Sequence, residues 1–240
     1  MVVETSVVIR TKNEEKYLQV LLDILKSQSY NNYEIIIVDD NSTDKTLDIA
    51  GKNNCKVITI PKGKFSHPYS CNLGAEVANG KYVVFLNGHS LPITNTWLGD
   101  GLKNFNDNLV AGVYAVTLAH KDGTFADKLL YNIVGYTIGL LKYRGGKHSL
   151  SLLGTTNAII RKDLWLKVKF NENVNSGWGG EDSVWAREYI KLGYQIVHEP
   201  RFRVRHSHHL AMKDIFWRLR NWIRMFVQSS EDPEKQRRNY

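Results

Sequence analysis

The sequence predicts an α/β fold in which a mostly parallel central sheet is covered by helices on both faces. Between Thr5 and Pro92, short apolar runs rich in β-branched residues alternate with segments of helical spacing. Each run is continuously apolar rather than alternating, which is typical of strands buried on both faces. The length of 240 residues suits one large domain, or a core domain with a small appendage.

The first part of the chain reads β-α-β-α-β-α-β. Asn13 is the expected N-cap of the first helix, with Glu14 and Glu15 in its first turn. Ser42 or Thr43 is expected to open the second helix, which closes near Gly51, and the third helix covers NLGAEVANG (72–80). The four expected strands are TSVVIRTK (5–12), YEIIIVDD (33–40), KVITIP (56–61) and the start of KYVVFLNGHSLP (81–92).

The second part is less regular but still alternates between the two kinds of element. Segment 97–118 predicts a helix and then a strand, and 156–168 predicts a strand and then a short helix. A glycine-rich loop enters a helix that stops at Gly193, and QIVHEPRFRVRHSHH (195–209) predicts two short strands and a histidine cluster. Residues 120–150 are expected to be mobile or to face an acceptor.

Polar side chains follow several of the predicted strands. Because crossovers between parallel strands are right-handed, the carboxyl ends of the strands meet at one edge, where open α/β sheets bind ligands. Thr11, Asp39, Asp40 and the loop 87–90 fall at this edge. No GxGxxG follows the first strand and no GxxxxGK[ST] is present, which argues against a dinucleotide fold and a P-loop enzyme.

The net charge limits the classes of binding partner, and the cysteine content indicates the cellular compartment. The net charge of +8 fits a nucleic acid, an anionic membrane surface or a phosphorylated small molecule. A nucleic-acid binder is disfavoured because no recognised module is present. Cys55 and Cys71 form no CxxC pair, which fits a reducing compartment, and neither a signal peptide nor a membrane span is predicted.

Two further segments carry chemistry. In WGGEDSVWARE, Glu181 and Asp182 follow Gly179 and Gly180, either as complements of the helix dipole or as a general base that faces an acceptor. In HSHH (206–209), positions 206 and 208 would share one face of a strand. These imidazoles are either polar loop residues or metal ligands.

Together these segments resemble the family 2 glycosyltransferases of the GT-A fold, in particular rhamnosyltransferase-like and capsule or lipopolysaccharide members. EIIIVDDNSTDKT (34–46) is similar to the hallmark VDDgStD and is the most specific segment. FSHPYSCN (65–72) is similar to FNHGGTRN, and GWGGEDSVWAREYIKLGY (177–194) to GgEDxdlwlR...G. The resemblance covers Val3 to about His209 and implies inverting transfer of a sugar from a nucleotide-diphosphate donor to an acceptor hydroxyl.

The resemblance also implies roles for residues on the donor side. Thr11 and Glu14 or Glu15 border the nucleotide, and Asp39 or Asp40 holds the base.

The resemblance further implies a histidine near the sugar donor, a general base, and a metal or diphosphate ligand from the last part of the sequence. His67 lies near the donor, Asp182 is the general base, and Glu181 orients the acceptor or supports the base. His206 or His208 is a late ligand of the metal or the diphosphate.

One departure from the family pattern concerns the metal. The acidic DxD that usually holds a divalent cation aligns with Asn87-Gly88-His89. Either His89 and a late histidine hold Mn²⁺ or Mg²⁺, or lysine and arginine side chains neutralise the diphosphate. We expect retained activity with an altered metal requirement, and Asn87 and His89 in the nucleotide-sugar site. The alternative is a non-catalytic homologue that binds sugar nucleotides.

The expected organisation has three parts. Residues 1–95 form the half that binds the nucleotide sugar, 96–211 the acceptor half of the same domain, and 212–240 an amphipathic helix and tail. Within 213–228, apolar residues recur at helical spacing with arginines between them. This helix either packs on the domain or lies on an anionic leaflet, as a cytoplasmic peripheral protein with a lipid-linked acceptor would.

Overall fold

A seven-stranded, mostly parallel sheet forms the centre of the protein. The computed structural model describes residues 2–135, 153–173 and 180–220. The sheet order is β3-β2-β1-β4-β7-β6-β8, and β5 pairs with β9 separately. Only β7 runs against its neighbours in the large sheet. The strands are β1 Thr5–Thr11, β2 Tyr33–Asp39, β3 Lys56–Thr59, β4 Tyr82–Asn87, β5 Leu91–Pro92, β6 Val110–Tyr114, β7 Asn157–Arg161, β8 Gln195–His198 and β9 Val204–Arg205.

Helices cover both faces of this sheet, which confirms the predicted fold class. They are α1 Leu18–Lys26, α2 Thr46–Lys52, α3 His67–Val77, α4 Trp97–Leu102, α5 Phe125–Asp127, α6 Lys162–Lys167 and α7 Glu181–Lys191, with a 3₁₀ segment at Lys103–Asn106 and a π-helical segment at Lys128–Gly135. Residues 212–220 are also helical.

The core lies on the two faces of β1 and its neighbours. Successive side chains of a strand point to opposite faces. Val7 and Ile9 accordingly pack with Leu22 of α1 on one face, while Val8 packs with Ala75 of α3 on the other. All five side chains are fully buried. Burial on both faces explains why the strand sequences are continuously apolar.

The start of α1 differs from the prediction. Asn13 adopts a left-handed conformation (φ 54°) and is not an N-cap, and α1 begins only at Leu18. The Glu14 carbonyl accepts hydrogen bonds from the amides of Tyr17 (3.0 Å) and Leu18 (2.9 Å). Glu14, like Glu15, therefore lies in a turn before the helix rather than in its first turn.

The starts of α2 and α3 also differ. Neither Ser42 nor Thr43 opens α2. The helix begins at Thr46, whose amide donates a hydrogen bond to the Asp44 carboxylate (2.9 Å). The third helix begins earlier than predicted, at His67, because the Ser66 hydroxyl caps it by accepting the Tyr69 amide at 3.2 Å.

The elements of the second part agree with the predictions where the structure describes them. The helix–strand order of 97–118 and the strand–helix order of 156–168 are confirmed, and α7 is followed by Gly193 in a left-handed conformation (φ 87°). His206 and His208 follow β9 rather than forming part of it, so the predicted shared strand face is wrong. The predictions for 136–150 lie outside the described residues.

The helix at 212–220 packs one side against the body of the protein. Ile215 is buried with Leu130 and Tyr131, and Leu219 packs against the same cluster, whereas Phe216 and Trp217 are exposed. The rest of the predicted amphipathic helix, 221–228, lies outside the described residues. Among the described residues, no helix has the length and apolar character needed to cross a membrane.

Candidate active site

Four strand ends meet at one edge of the large sheet. The carboxyl ends of β1, β2 and β4 lie side by side because these strands are parallel. The amino end of β7 joins them because β7 is antiparallel to β4, with Leu86 opposite Asn157. Thr155, just before β7, therefore reaches the same edge. Most of the predicted site residues lie here, in three neighbouring groups.

The first group fixes the loop after β2. Asp39 is fully buried, and its carboxylate accepts hydrogen bonds from the Thr11 hydroxyl (2.8 Å) and from the Ser42 amide (2.8 Å) and hydroxyl (2.5 Å). Its oxygens therefore hold the ends of β1 and β2 in register with the loop. Asp40 instead forms an ion pair with Lys12 at 2.7 Å. Asp39 therefore binds groups of the loop, whereas the Asp40 carboxylate pairs with Lys12 outside it.

The predicted candidates Glu14 and Glu15 point in different directions. The Glu15 carboxylate accepts the Lys45 amide at 3.1 Å and so helps to form the loop before α2. The Glu14 carboxylate lies 2.6 Å from Nδ1 of His89. Glu14 therefore belongs with the histidine cluster described below, and Glu15 does not.

The second group is organised by Arg10, which the sequence analysis missed. Its guanidinium contacts His67 Nδ1 at 3.0 Å and donates to Asn87 Oδ1 at 2.6 Å and to the Thr155 carbonyl at 3.1 Å. Arg10 is almost completely buried. The available signal was a charged residue inside the apolar run SVVIRTK, since an arginine is rarely buried without partners.

The environment of His67 keeps its ring neutral. Burial, and then the neighbouring Arg10 charge, lower the pKa of His67 to about 4. Asn87 is held by the same guanidinium, so its amide oxygen already has a donor. His67 and Asn87 were predicted separately, and the structure brings them together through Arg10.

The same group extends to the carboxyl pair at the start of α7. The Asp182 carboxylate accepts the amides of Thr155 (2.9 Å) and Ser183 (2.7 Å). The Thr155 hydroxyl lies 3.5 Å from the Glu181 carboxylate, and both acids are buried. Asp182 is thus held by backbone donors, while Oε2 of Glu181 is buried without a hydrogen-bond partner among the described residues.

Burial changes the acidity of both carboxyl groups. Burial, and then the charge of Asp182, raise the pKa of Glu181 to about 7, against the opposing effect of Arg10. Burial also raises the pKa of Asp182, although the amides of Thr155 and Ser183 favour its charged form. A carboxyl group that titrates near neutral pH can accept and release a proton under physiological conditions.

The third group is a cluster of three histidines, His89, His206 and His208. One ring nitrogen from each lies within 4.8 Å of the others. The Nε2 atoms of His206 and His208 are 2.9 Å apart, and the rings of His89 and His206 stack with centroids 4.5 Å apart. The cluster is contiguous with the second group because the amide of Gly88 donates to the Arg10 carbonyl.

All three imidazoles can serve as metal ligands only when they are neutral. Burial, followed by the charge of His89, holds the pKa of His206 well below its usual range. The same two causes lower the pKa of His208 to about 4, although this residue is exposed to solvent. The rings of His206 and His208 are therefore neutral at physiological pH, so each has a nitrogen lone pair for a divalent ion.

Two neighbours of this cluster were also missed. Nε2 of His120 lies 2.8 Å from the carbonyl of His89, and the His120 ring stacks on Tyr17 with centroids 4.8 Å apart. The sequence gives no signal for either residue, because a lone histidine after β6 and a tyrosine before α1 fit many environments.

Solved structures share this fold. The mannosyltransferase PcManGT from Pyrobaculum calidifontis, in complex with GDP-Man and Mn²⁺, matches with a TM-score of 0.69 at 18% identity, over 95% of this chain and 64% of that one. Glucosyl-3-phosphoglycerate synthase from Mycobacterium tuberculosis, with Mn²⁺, UDP-Glc and phosphoglyceric acid, matches with a TM-score of 0.65 at 16% identity, over 94% and 79%. The fold is therefore of the GT-A type.

The sequence comparisons identify the family. Residues 6–168 match the profile of Glycosyl transferase family 2, so the chain belongs to that family. It is 27% identical over 202 residues to the O-antigen chain rhamnosyltransferase WbaN of Salmonella anatum, covering 80% of this chain and 62% of WbaN. It is 31% identical over 209 residues to the glycosyltransferase GlyG of Streptococcus pneumoniae, covering 80% and 66%. The chain thus spans less than two thirds of the length of either relative.

Proposed function

We propose that this protein transfers a sugar from a nucleotide-diphosphate donor to an acceptor hydroxyl with inversion, in the synthesis of a cell-surface polysaccharide or glycolipid. The observation that carries the proposal is the buried pair Glu181–Asp182, which Thr155 and Arg10 join to the edge of the sheet. Family membership and the similarity to rhamnosyltransferases support the reaction class.

Donor binding is assigned to the strand ends. Asp40 and Thr11 flank the nucleotide at β1 and β2, with Asp39 fixing the loop that carries Asp40. Asn87 and His67, both held by Arg10, face the sugar diphosphate.

Asp182 acts as the general base. Its carboxylate takes the proton from the acceptor hydroxyl as that oxygen forms a bond to the anomeric carbon. The bond from this carbon to the diphosphate breaks on the opposite face, and the diphosphate leaves with the electron pair. The Thr155 and Ser183 amides fix the direction of the carboxylate, and Glu181 orients the acceptor. Fixed geometry of this kind supplies much of the rate of a two-substrate reaction.

His89, His206 and His208 would hold a divalent cation, with Glu14 behind His89. Such an ion supplies positive charge to the leaving diphosphate. The two solved structures of the same fold contain Mn²⁺ together with a nucleotide sugar, which supports a role for a divalent cation in the reaction. This cluster also favours an active enzyme over a non-catalytic homologue, because it replaces the missing carboxylates of the DxD.

The test compares Asp182→Asn with the wild type in two assays. Transfer from a panel of nucleotide sugars should fall by about 10²-fold or more, the usual contribution of a general base. Thermal stabilisation by the nucleotide alone should be unchanged, because Asp182 does not contact it in this assignment. Full transfer by the variant would refute the base assignment. A wild type that binds donors but transfers none would indicate the non-catalytic homologue.

We also propose a cytoplasmic location with peripheral contact to a membrane. The free thiols Cys55 and Cys71 fit a reducing compartment. The exposed Phe216 and Trp217 on the helix at 212–220, together with Lys213 and Arg220, fit an anionic leaflet that presents a lipid-linked acceptor.

A further inference from the structure

We propose that the cluster of His89, His206 and His208 binds a borderline divalent ion, Zn²⁺, Co²⁺ or Ni²⁺, in preference to Mg²⁺ and Mn²⁺. In this proposal Glu14 is a positioning residue that orients His89 toward the ion. The place of the ion beside a donor diphosphate rests on the proposed function, whereas its binding to the protein does not.

The spacing of the ring nitrogens fits a small ion with nitrogen ligands. Zn²⁺ lies about 2.0–2.1 Å from imidazole nitrogens, so two ligands of a tetrahedral site are about 3.3 Å apart. The His206 and His208 Nε2 atoms are 2.9 Å apart, and the three ligand atoms lie within 4.8 Å of one another. Small rotations of the rings would bring all three to the required distance and leave a fourth position open.

The chemistry of the ligand set favours the borderline ions. Imidazole suits Zn²⁺, Co²⁺ and Ni²⁺, whereas Mg²⁺ and Mn²⁺ prefer carboxylate and carbonyl oxygens. The oxygens near this cluster already have partners. Asn87 Oδ1 accepts from Arg10, and the buried Asp127 carboxylate accepts from Thr124 and from the amide of His208. A hard ion would therefore find three nitrogens, whereas the Asn87 and Asp127 oxygens are already engaged in hydrogen bonds.

Glu14 leaves one defined nitrogen of His89 available. Its carboxylate lies 2.6 Å from Nδ1 and accepts a hydrogen bond from a protonated Nδ1, so in the neutral form of the ring Nε2 carries the lone pair. A carboxylate behind a ligating histidine is a common arrangement in zinc sites, where it fixes the ring and raises its basicity. In the same way, Nδ1 of His206 lies 3.4 Å from the Ser90 hydroxyl, and its Nε2 faces His208.

The buried Nε2 of His89 is the second observation that points to a ligand. Within the described part of the chain it has no hydrogen-bond partner. A simple shared proton between His206 and His208 would explain their 2.9 Å contact, but it would leave Nε2 of His89 unsatisfied. Buried polar groups usually have a partner. A metal ion satisfies all three nitrogens at once.

The experiment titrates untagged, metal-free protein with Co²⁺ and records the visible d–d absorption. We expect saturation at one Co²⁺ per chain, loss of the absorption when Zn²⁺ is added, and no loss with excess Mg²⁺. His206→Ala and His208→Ala should both abolish the absorption. Glu14→Gln should weaken binding by about 10- to 100-fold, the usual effect of removing an outer-shell carboxylate.

His209→Asn is the matched control. His209 is an exposed histidine next to the cluster, but it does not belong to the set of three, and its ring contacts the Tyr17 hydroxyl instead. Asparagine tolerates its left-handed backbone (φ 52°). This variant should bind Co²⁺ as the wild type does. Melting curves of each variant show whether the chain is folded, and His208→Ala is informative even if the buried His206 cannot be replaced.

Two results would overturn the proposal. One is displacement of Co²⁺ by Mg²⁺ or Mn²⁺ as readily as by Zn²⁺, and the other is unchanged Co²⁺ binding by the folded His208→Ala variant. Because no sugar nucleotide is present, neither result bears on the transfer reaction. Conversely, a protein that binds Zn²⁺ but transfers no sugar would refute the proposed function and leave the metal centre in place.

Discussion

At the scale of single residues, Glu181 is an acid whose environment opposes its charge. It is buried beside Asp182, and one of its oxygens has no hydrogen-bond partner among the described residues. Its pKa of about 7, against an ordinary value of 4.5, means that the folded protein binds a proton more tightly than the unfolded chain does. This residue should therefore favour folding at low pH and oppose it at neutral pH.

Glu181→Gln should remove this dependence. The wild-type contribution is fully present below pH 4.5 and is lost as the pH rises through about 7. Between pH 4 and pH 8, the free energy of unfolding of the variant relative to that of the wild type should rise by on the order of 3 kcal/mol. This figure follows from 1.36 kcal/mol per unit of pKa shift. Urea unfolding of both proteins at several pH values measures the difference. A difference that does not change between pH 4 and pH 8 would contradict the raised pKa.

Gly88→Ala should disturb the histidine cluster through Glu14. A Cβ at position 88 would lie 2.6 Å from Glu14 Cγ, too close for the side chain to keep its contact with His89. We expect transfer activity to fall by about tenfold or more, as for other outer-shell changes. Gly51→Ala in α2 is the matched control, since nothing lies within 4 Å of its Cβ and alanine favours a helix. Equal activity of the two variants would argue against this role of Glu14.

The hydrogen-bond and ion-pair partners of individual side chains were the least predictable feature at this scale. The sequence pointed to Asp39 and Asp40 as equivalent candidates, but the structure buries Asp39 in the loop and pairs Asp40 with Lys12. Arg10 was missed because periodicity within a strand does not reveal a partner such as Asn87, 77 positions away.

At the scale of elements, the cap of α3 offers a direct test. Ser66→Ala should lower the free energy of unfolding by about 1 kcal/mol, because the Tyr69 amide loses its acceptor. Ser66→Asp keeps an acceptor at the same position and should restore most of the stability. Thermal unfolding measures both changes. A Ser66→Ala variant as stable as Ser66→Asp would show that the cap contributes nothing.

Element type was predictable, but several element starts were not. Apolar spacing placed α1 correctly, since Leu18, Leu21 and Leu22 are buried, yet its start lies after Asn13 because the preceding residues form a turn. Ser42, Thr43, Asp44 and Thr46 all resemble caps in sequence. Only the contacts of Ser42 and Thr43 with Asp39 and Asn13 show that these two residues hold the loop instead.

At the scale of the whole molecule, the net charge of +8 should draw the protein to anionic membranes. We expect it to sediment with phosphatidylglycerol-containing vesicles, but not with pure phosphatidylcholine vesicles, and to dissociate in high salt. Phe216→Ser, at a side chain that is 81% exposed, should weaken this binding. Leu166→Ser, at an exposed apolar residue of α6, is the control. Equal loss in both variants, or binding independent of lipid charge, would contradict the assignment of the helix.

The alternation of continuous apolar runs with helical segments determined the fold class, because burial on both faces leaves that pattern in each strand. The same pattern determined which residues end at the carboxyl edge of the sheet, and the motif EIIIVDDNSTDKT lies within residues 6–168, which identify the family. Tertiary structure alone decided which of these side chains meet. His89 and His206 stack although 117 positions separate them, and Arg10 reaches Thr155 across 145. Such contacts depend on how elements far apart in the sequence pack together, and a local periodicity contains no information about that packing.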